Sequence, residues 1–390
     1  MQSRAAAPQD TNRIYPGISS FAWNSDCSKI AVCPTNKEIW IFKTNSTADT
    51  SKWERIQVLR EHLNPVSSLD WHPQTNLLLS SSTDRGVIVW EESKEFVGLK
   101  PQLAIVKETK ANIDAAWNNN GTKFIVGAAS GHVFIGNFSA ANNFWIGQAL
   151  SRKPLHKSSV VSVRFDPMSG KVCASGSTDG TCQITTCFVR GVDNDQTQGP
   201  FGGVTSFGEN LLIFSSNGWV NNVSFSQNSS LFCYATHDCE LNFFDISQAA
   251  QKVKAKPDKV LYKGNPFLNG IFVNETTYIA CGYDKVPFVF KKNGSNWEFV
   301  KYLDDGINKV KDQAISSGSF DNAQAFFKRS ETEKASGVKL DEDVGMREMS
   351  TKHQNYINCL KVYASRGGAP SVISTSDING YINYWDLQSA

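Results

Sequence analysis

The feature that most constrains this chain is internal repetition. Residues Val66–Trp90 read "VSSLDWHPQTNLLLSSSTDRGVIVW". An alternating apolar stretch ends at an aromatic and a polar turn follows. A second stretch, "LLLSSS", leads into a turn carrying Asp84, and a third stretch closes at Trp90. Alternation with period two marks strands, not helices. The same order recurs at Ile18–Phe42, Ile113–Phe138, Val160–Phe188, Val220–Ile246 and Ile357–Leu387, with a degraded copy at Gly270–Lys291. Each unit supplies three strands, and the link to the next unit supplies a fourth, as "WERIQVLR" (Trp53–Arg60) does. The aromatics that end the first strands, Trp23, Trp71, Trp117 and Phe165, are 48, 46 and 48 residues apart. That lies close to the period of about 40–45 residues of a WD40 blade. The expected fold is all-β, a seven-bladed WD40 β-propeller.

Turn chemistry sharpens this reading. His62, His156 and His353 each stand four residues before a strand-opening Val66, Val160 or Ile357. Asp84, Asp179 and Asp377 follow them 22 to 24 residues later. The resemblance to WD-repeat propellers implies that this His and Asp hydrogen-bond across a blade and hold a tight turn against the neighbouring strand. The alternative role, catalytic base or metal ligand, fits poorly, because the pair recurs from blade to blade. Trp90 and the dipeptide Trp385–Asp386 close two blades, while the Gly-His half of the usual repeat signature is missing.

A ring must close. The last unit lacks an outer strand, and "NRIYPG" (Asn12–Gly17) can supply it and cover an exposed sheet edge. Residues 1–11 are then a flexible tail and residues 12–390 the propeller. One large insertion remains at about 301–350, between the sixth and seventh units.

That insertion contains "SGSFDNAQAFFKRSETEK" (Ser317–Lys334). Ser319 suits an N-cap and Asp321 the first turn of a short helix. Helical spacing gathers Phe320, Ala323, Phe326 and Phe327 into one apolar stripe. Lys328, Arg329 and Lys334 fall in the C-terminal half, the end that favours cations. Burial of each Phe would contribute about 1.5–3 kcal/mol. Either the stripe folds back on the propeller's own rim, or it waits for a partner groove.

Bulk properties exclude several classes. Across 390 residues the net charge is +2, which argues against nucleic acid or an anionic membrane as partner. The basic run Lys252–Lys259 reads as a solvated loop. "MQSRAAAPQD" has no long apolar run of secretory type, and no stretch nears the roughly 18 apolar residues of a membrane span. The nine cysteines are expected to be reduced and mostly buried. Enzyme motifs are weak. "GPFGGVTSFG" (Gly199–Gly208) lacks the Lys-Ser/Thr of a phosphate loop. Cys173, Cys182 and Cys187 lack zinc spacing. "THDC" (Thr236–Cys239) sits where other blades turn. The expectation is no enzyme, no cofactor and no metal.

Beyond this grammar, specific stretches carry a resemblance. "ISSFAWNSDCSKIAVCPTNKEIWIF", "ANNFWIGQALSRKPLHKSSVVSVRFDP" (Ala141–Pro167) and "NGWVNNVSFSQNSSLFCYATHD" (Asn217–Asp238) are similar to the WD-repeat subunit 1 family of the actin-related protein 2/3 complex. The resemblance spans nearly the whole chain. It implies a non-catalytic scaffold subunit of a nucleator of branched actin filaments. Its partners would be the actin-related and small scaffold subunits and the actin filament, with nucleation-promoting factors as further candidates. Nucleotide would belong to the actin-related subunits, and the location would be the cytoplasmic actin cytoskeleton. The family also carries an inserted amphipathic helix between its last two blades, thought to contact actin-type partners. This chain has three Phe there where the family segment has one. Two alternatives stand beside this reading. One is another propeller adaptor, such as a ubiquitin-ligation receptor or a vesicle-coat component; the other is an enzyme or metal-binding propeller.

Overall fold

The computed structural model describes residues 13–14, 17–45, 47–93, 98–194, 196–247, 256–304 and 351–387. The seven repeats form seven antiparallel blades. Blade 1 is built from Ser20–Trp23, Lys29–Cys33, Ile39–Lys43 and Glu54–Leu59. Blades 2 to 6 repeat that order, each taking its outer strand from the link to the next unit. The degraded sixth unit still makes a full blade of Phe267–Asn274, Thr277–Gly282, Phe288–Asn293 and Asn296–Tyr302. Its alternation of Phe, Tyr and Ile survives, and of the turn residues only Asp284 remains, accepting from Asn265. Blade 7 has three strands, Ile357–Arg366, Ala369–Asp377 and Ile382–Asp386.

The first strand of each blade lies against the first strands of its two neighbours, so seven inner strands circle a channel. Burial follows position. The second strand of blade 3, "KFIVGA", is buried at every residue, because neighbouring blades cover both faces. The outer strand of blade 2, "LKPQLAIV", exposes Pro101, Leu103 and Ile105 and covers the residues between them in part or whole.

Among the described residues the apolar core divides into seven clusters, each shared between adjacent blades. Trp71 and Trp90 of blade 2 pack with Ala31 and Ile41 of blade 1. The same relation runs round the ring, from blades 2 and 3 through to blades 6 and 7. The seventh cluster joins Phe21, Trp23 and Val32 of blade 1 to Cys359 and Ile382 of blade 7 and closes the circle. No blade buries its faces alone, which is the energetic reason the repeats come as a closed set.

Blade 7 begins to receive the expected N-terminal strand. Arg13 bridges Tyr381 in antiparallel sense, and the Ile14 N–H donates to the Gly380 carbonyl at 3.0 Å. The Arg13 guanidinium lies 5.8 Å from the centre of the Tyr381 ring. The tail expected over residues 1–11 and most of the 301–350 insertion lie outside the described residues.

Two features differ from the sequence expectation. The outer strands of blades 2 and 3, Leu99–Val106 and Phe144–Ala149, pair in parallel through Ala104–Trp145, Ile105–Ile146 and Val106–Gly147. One continuous eight-stranded sheet results. Gly147 permits it, since a Cβ there would stand 2.8 Å from a Val106 methyl. Second, the basic run read as a loop enters a strand at Asp258, where Asp258–Leu261 forms the edge of blade 5. The glycine-rich stretch makes a loop, turning at the Gly199–Gly202 bridge before the chain enters the outer strand Phe207–Ser215 of blade 4.

Candidate interaction surface

The recurrent His residues and Asp377 are buried at blade turns, and Asp84 and Asp179 are half-buried there. His62 Nδ1 lies 3.1 Å from Asp84 Oδ2, and Nε2 lies 2.8 Å from Ser80 Oγ. Trp90 Nε1 donates to the same Ser80 oxygen at 2.9 Å. With Asp84 ionised, the His62 proton sits on Nδ1 and the Ser80 hydroxyl donates to Nε2. Asp84 also accepts from the main-chain N–H groups of Leu63 at 2.7 Å and Gly86 at 2.6 Å. One carboxylate thus ties two turns, and the chain Trp–Ser–His–Asp crosses the blade. Blade 7 repeats it with Thr375 in place of the serine. His353 Nδ1 is 3.1 Å from Asp377, its Nε2 is 2.6 Å from Thr375 Oγ1, and Trp385 Nε1 donates to that hydroxyl at 2.7 Å.

Blade 4 departs from this. His156 Nδ1 lies nearest Thr181 Oγ1, at 2.8 Å, with Asp179 Oδ2 at 3.6 Å. Asp179 accepts instead from Thr181 and from the Lys157 N–H. The place of Trp90 is taken by Thr185, opposite Cys173 as Trp90 stands opposite Leu78.

Burial holds the His62 and His156 imidazoles below their ordinary pKa, against the opposing pull of Asp84 and Asp179. For Asp84, burial acts upward but is outweighed by the Leu63 and Gly86 N–H groups and by His62, so its pKa falls. The pairs are neutral imidazole with carboxylate.

Phe320, Ala323, Phe326 and Phe327 lie outside the described residues. The neck of their insertion is described. The Lys352 N–H donates to Asp304 Oδ2 at 3.2 Å, drawing the two ends together, and Lys352 Nζ lies 4.4 Å from the Trp385 ring centre.

The central channel is bridged by charge at mid-height. Lys361 of blade 7 reaches Asp70 of blade 2 at 3.2 Å, and Arg164 of blade 4 pairs with Asp114 of blade 3 at 2.7 Å. For Asp70, burial acts upward and Lys361 and the Trp117 N–H act downward, leaving it below the ordinary carboxylate range. Cavities of about 370 and 750 Å³ lie on the channel, and both are lined by Arg164, Asn222, Asn269 and Lys361.

Inner-strand side chains also carry a hydrogen bond across every blade junction. Ser20 accepts from Leu69 N–H at 3.0 Å, and Ser68 donates to Asp114 at 2.9 Å. Asp114 accepts from Val163 N–H at 3.0 Å, and Ser162 from Val223 N–H at 3.1 Å. Asn222 donates to the Gly270 carbonyl at 3.2 Å and Asn269 to the Asn358 carbonyl at 2.9 Å. Asn358 donates to the Ile18 carbonyl and completes the circuit. Sequence reasoning missed this set. Its one signal was a small polar residue early in each first strand.

Two buried lysines were also missed. Lys123 Nζ, wholly buried in blade 3, meets Asp193 at 2.6 Å and the carbonyls of Gly170 and Cys187. Lys171 Nζ donates to the Thr197 carbonyl at 2.8 Å. Together they pin the loop that joins the third strand of blade 4, Thr181–Cys187, to its outer strand. Among the described residues no three His, Cys, Asp or Glu side chains converge to hold a metal. His237 and Cys239 occupy a blade turn, Cys239 with φ of 65°.

The sequence profile of the WD domain, G-beta repeat family matches residues 53–91 and 148–185. Each match begins on or just before the outer strand of one blade and runs into the third strand of the next. Ring, repeats and turn chemistry define a WD-repeat β-propeller. Curated relatives match it nearly end to end. Actin-related protein 2/3 complex subunit 1A of Arabidopsis thaliana is 30% identical over 385 residues, 97% of each chain. Subunit 1A-B of Xenopus laevis is 28% identical over 95% of this chain and 94% of its own. Subunit 1 of Schizosaccharomyces pombe is 24% identical over 94% of this chain and 96% of its own. The chain belongs to the actin-related protein 2/3 complex subunit 1 family.

Proposed function

We propose that this chain is a non-catalytic scaffold subunit of an actin-related protein 2/3 complex and supports nucleation of branched actin filaments through protein–protein contacts. The carrying observation is the match of 97% of the chain to 97% of a subunit 1 relative. It includes the propeller and the interval between blades 6 and 7. The repeated His–Asp pairs support the same reading, because they are spent on holding turns. Its partners are the actin-related and small scaffold subunits, with the actin filament and nucleation-promoting factors contacting the assembled complex. The place of action is the cytoplasmic actin cytoskeleton.

Within this reading the stripe of Phe320, Ala323, Phe326 and Phe327 is a partner-binding element. Three Phe on one helical stripe within an otherwise polar and charged segment support this reading. Reconstitution tests the function. A complex assembled with this chain should form branches on filaments viewed by fluorescence microscopy, and one assembled without it should form far fewer. Equal branching with and without the chain would contradict the proposal.

A further inference from the structure

At the mouth of the channel, over blades 5 to 7, four rings stand in a row. Trp219 and His237 have centroids 5.2 Å apart, His237 and Tyr283 5.9 Å, and Tyr283 and Tyr356 5.2 Å. Trp219 and Tyr283 are 54% and 40% exposed, unusual for side chains this large. The row borders the 370 Å³ cavity.

Its surroundings select the chemistry of an occupant. Asp238 follows His237 in the turn and packs on Gly218, beside Trp219. Asp284 follows Tyr283. Among the described residues neither carboxylate is in an ion pair, and the exposed Lys285 pairs with neither. The Cys239 thiol is raised first by burial and then by the charges of Asp238 and Asp284, so both fields converge on this corner. The cavity wall adds acceptors. Asn221 and Asn269 donate their amide N–H groups to the carbonyls of Phe267 at 3.0 Å and Asn358 at 2.9 Å. Each amide oxygen is left as an acceptor.

We infer that this row is a docking surface for a basic segment of a partner protein, with an arginine or lysine side chain held over the Trp219 and Tyr283 rings between Asp238 and Asp284. Aromatic faces attract cations, and most strongly when carboxylates stand beside them. Asp238 accepts a hydrogen bond from the Thr236 hydroxyl and Asp284 from the Asn265 amide at 2.8 Å, so what an acidic or purely apolar segment would withhold from the two carboxylates is a counter-charge.

The test uses the full chain labelled with ¹⁵N at tryptophan, the Trp219 indole resonance being assigned with Trp219→Phe. The probes are the blocked peptides acetyl-Gly-Arg-Gly-Arg-Gly-amide and its Glu and Leu counterparts. The arginine peptide should shift the Trp219 resonance saturably, and salt should weaken the effect. Asp238→Asn with Asp284→Asn, and separately Tyr283→Ala, should each weaken binding at least about fivefold, with the remaining indole resonances unmoved as the check on folding. An equal or stronger response to the Glu or Leu peptide would overturn the inference. So would no saturable shift, or an arginine response that the variants leave unchanged.

Discussion

Asn358 in the last blade donates its side-chain amide to the main-chain carbonyl of Ile18 in the first. The two residues are 340 positions apart, and their bond is the closing link of a circuit that crosses all seven junctions. The apolar cluster joining blades 1 and 7 surrounds the same seam.

Breaking that link should loosen the whole ring. Asn358→Ala removes the donor to Ile18 and the acceptor for Ser376. The expected loss is about 1–3 kcal/mol in urea unfolding, since buried polar groups are left unpaired. An alanine at the exposed Asn296 should cost far less. Equal effects at the two sites would remove the circuit from the account.

The His62 and Asp84 pair should tie stability to pH with a definite sign. Folded His62 and His156 titrate below the ordinary 6.5. As pH falls through 6.5 the unfolded chain binds protons first, so stability is lost from about pH 7 downward. Asp84 and Asp179 lie below 3.8 in the folded chain, which adds a second loss at still lower pH with the same sign. Melting curves between pH 7.5 and 5 should show the first phase. His62→Gln with His156→Gln should flatten it while lowering stability at pH 7.5.

Lys123 and Asp193 form a buried ion pair at 2.6 Å. Lys123→Met alone leaves Asp193 uncompensated and should cost about 3–5 kcal/mol. Adding Asp193→Leu should recover most of that loss. Urea unfolding of the two single variants and the double variant measures the coupling. Additive losses would mean that the pair is not energetically linked.

The Phe stripe should behave in the opposite way. Phe320→Ala with Phe327→Ala is expected to leave the melting temperature nearly unchanged and to weaken branch formation. A large fall in melting temperature with normal branching would place the stripe in the propeller's own packing.

Much of the fold was legible because blade construction is local. His62, Asp84 and Trp90 lie close together in sequence, and their order survives in His353, Asp377 and Trp385. The sixth unit lacks the His and the Trp and keeps only Asp284 at the turn, yet Phe267, Tyr278, Phe288 and Phe290 kept its apolar alternation and so its blade. What joins blades was less legible. Lys123 finds its partner 70 residues away in Asp193, and a lysine beginning a strand gives no sign of burial. The parallel edge between blades 2 and 3 leaves no turn to read. The aromatic row joins Trp219, His237, Tyr283 and Tyr356 across three blades, each unremarkable in its own repeat. Ser80 and Thr375 were overlooked for a different reason, since a strand hydroxyl has many partners open to it.

The central claim is that this ring serves as a subunit of an actin-related protein 2/3 complex. Purification of the tagged full-length chain from native extract, followed by quantitative mass spectrometry, tests it most directly. The account predicts recovery of two actin-related proteins and the small scaffold subunits in near-equal amounts with the chain. Recovery of a soluble monomer, or of a ubiquitin-ligation or vesicle-coat machine in their place, would contradict it.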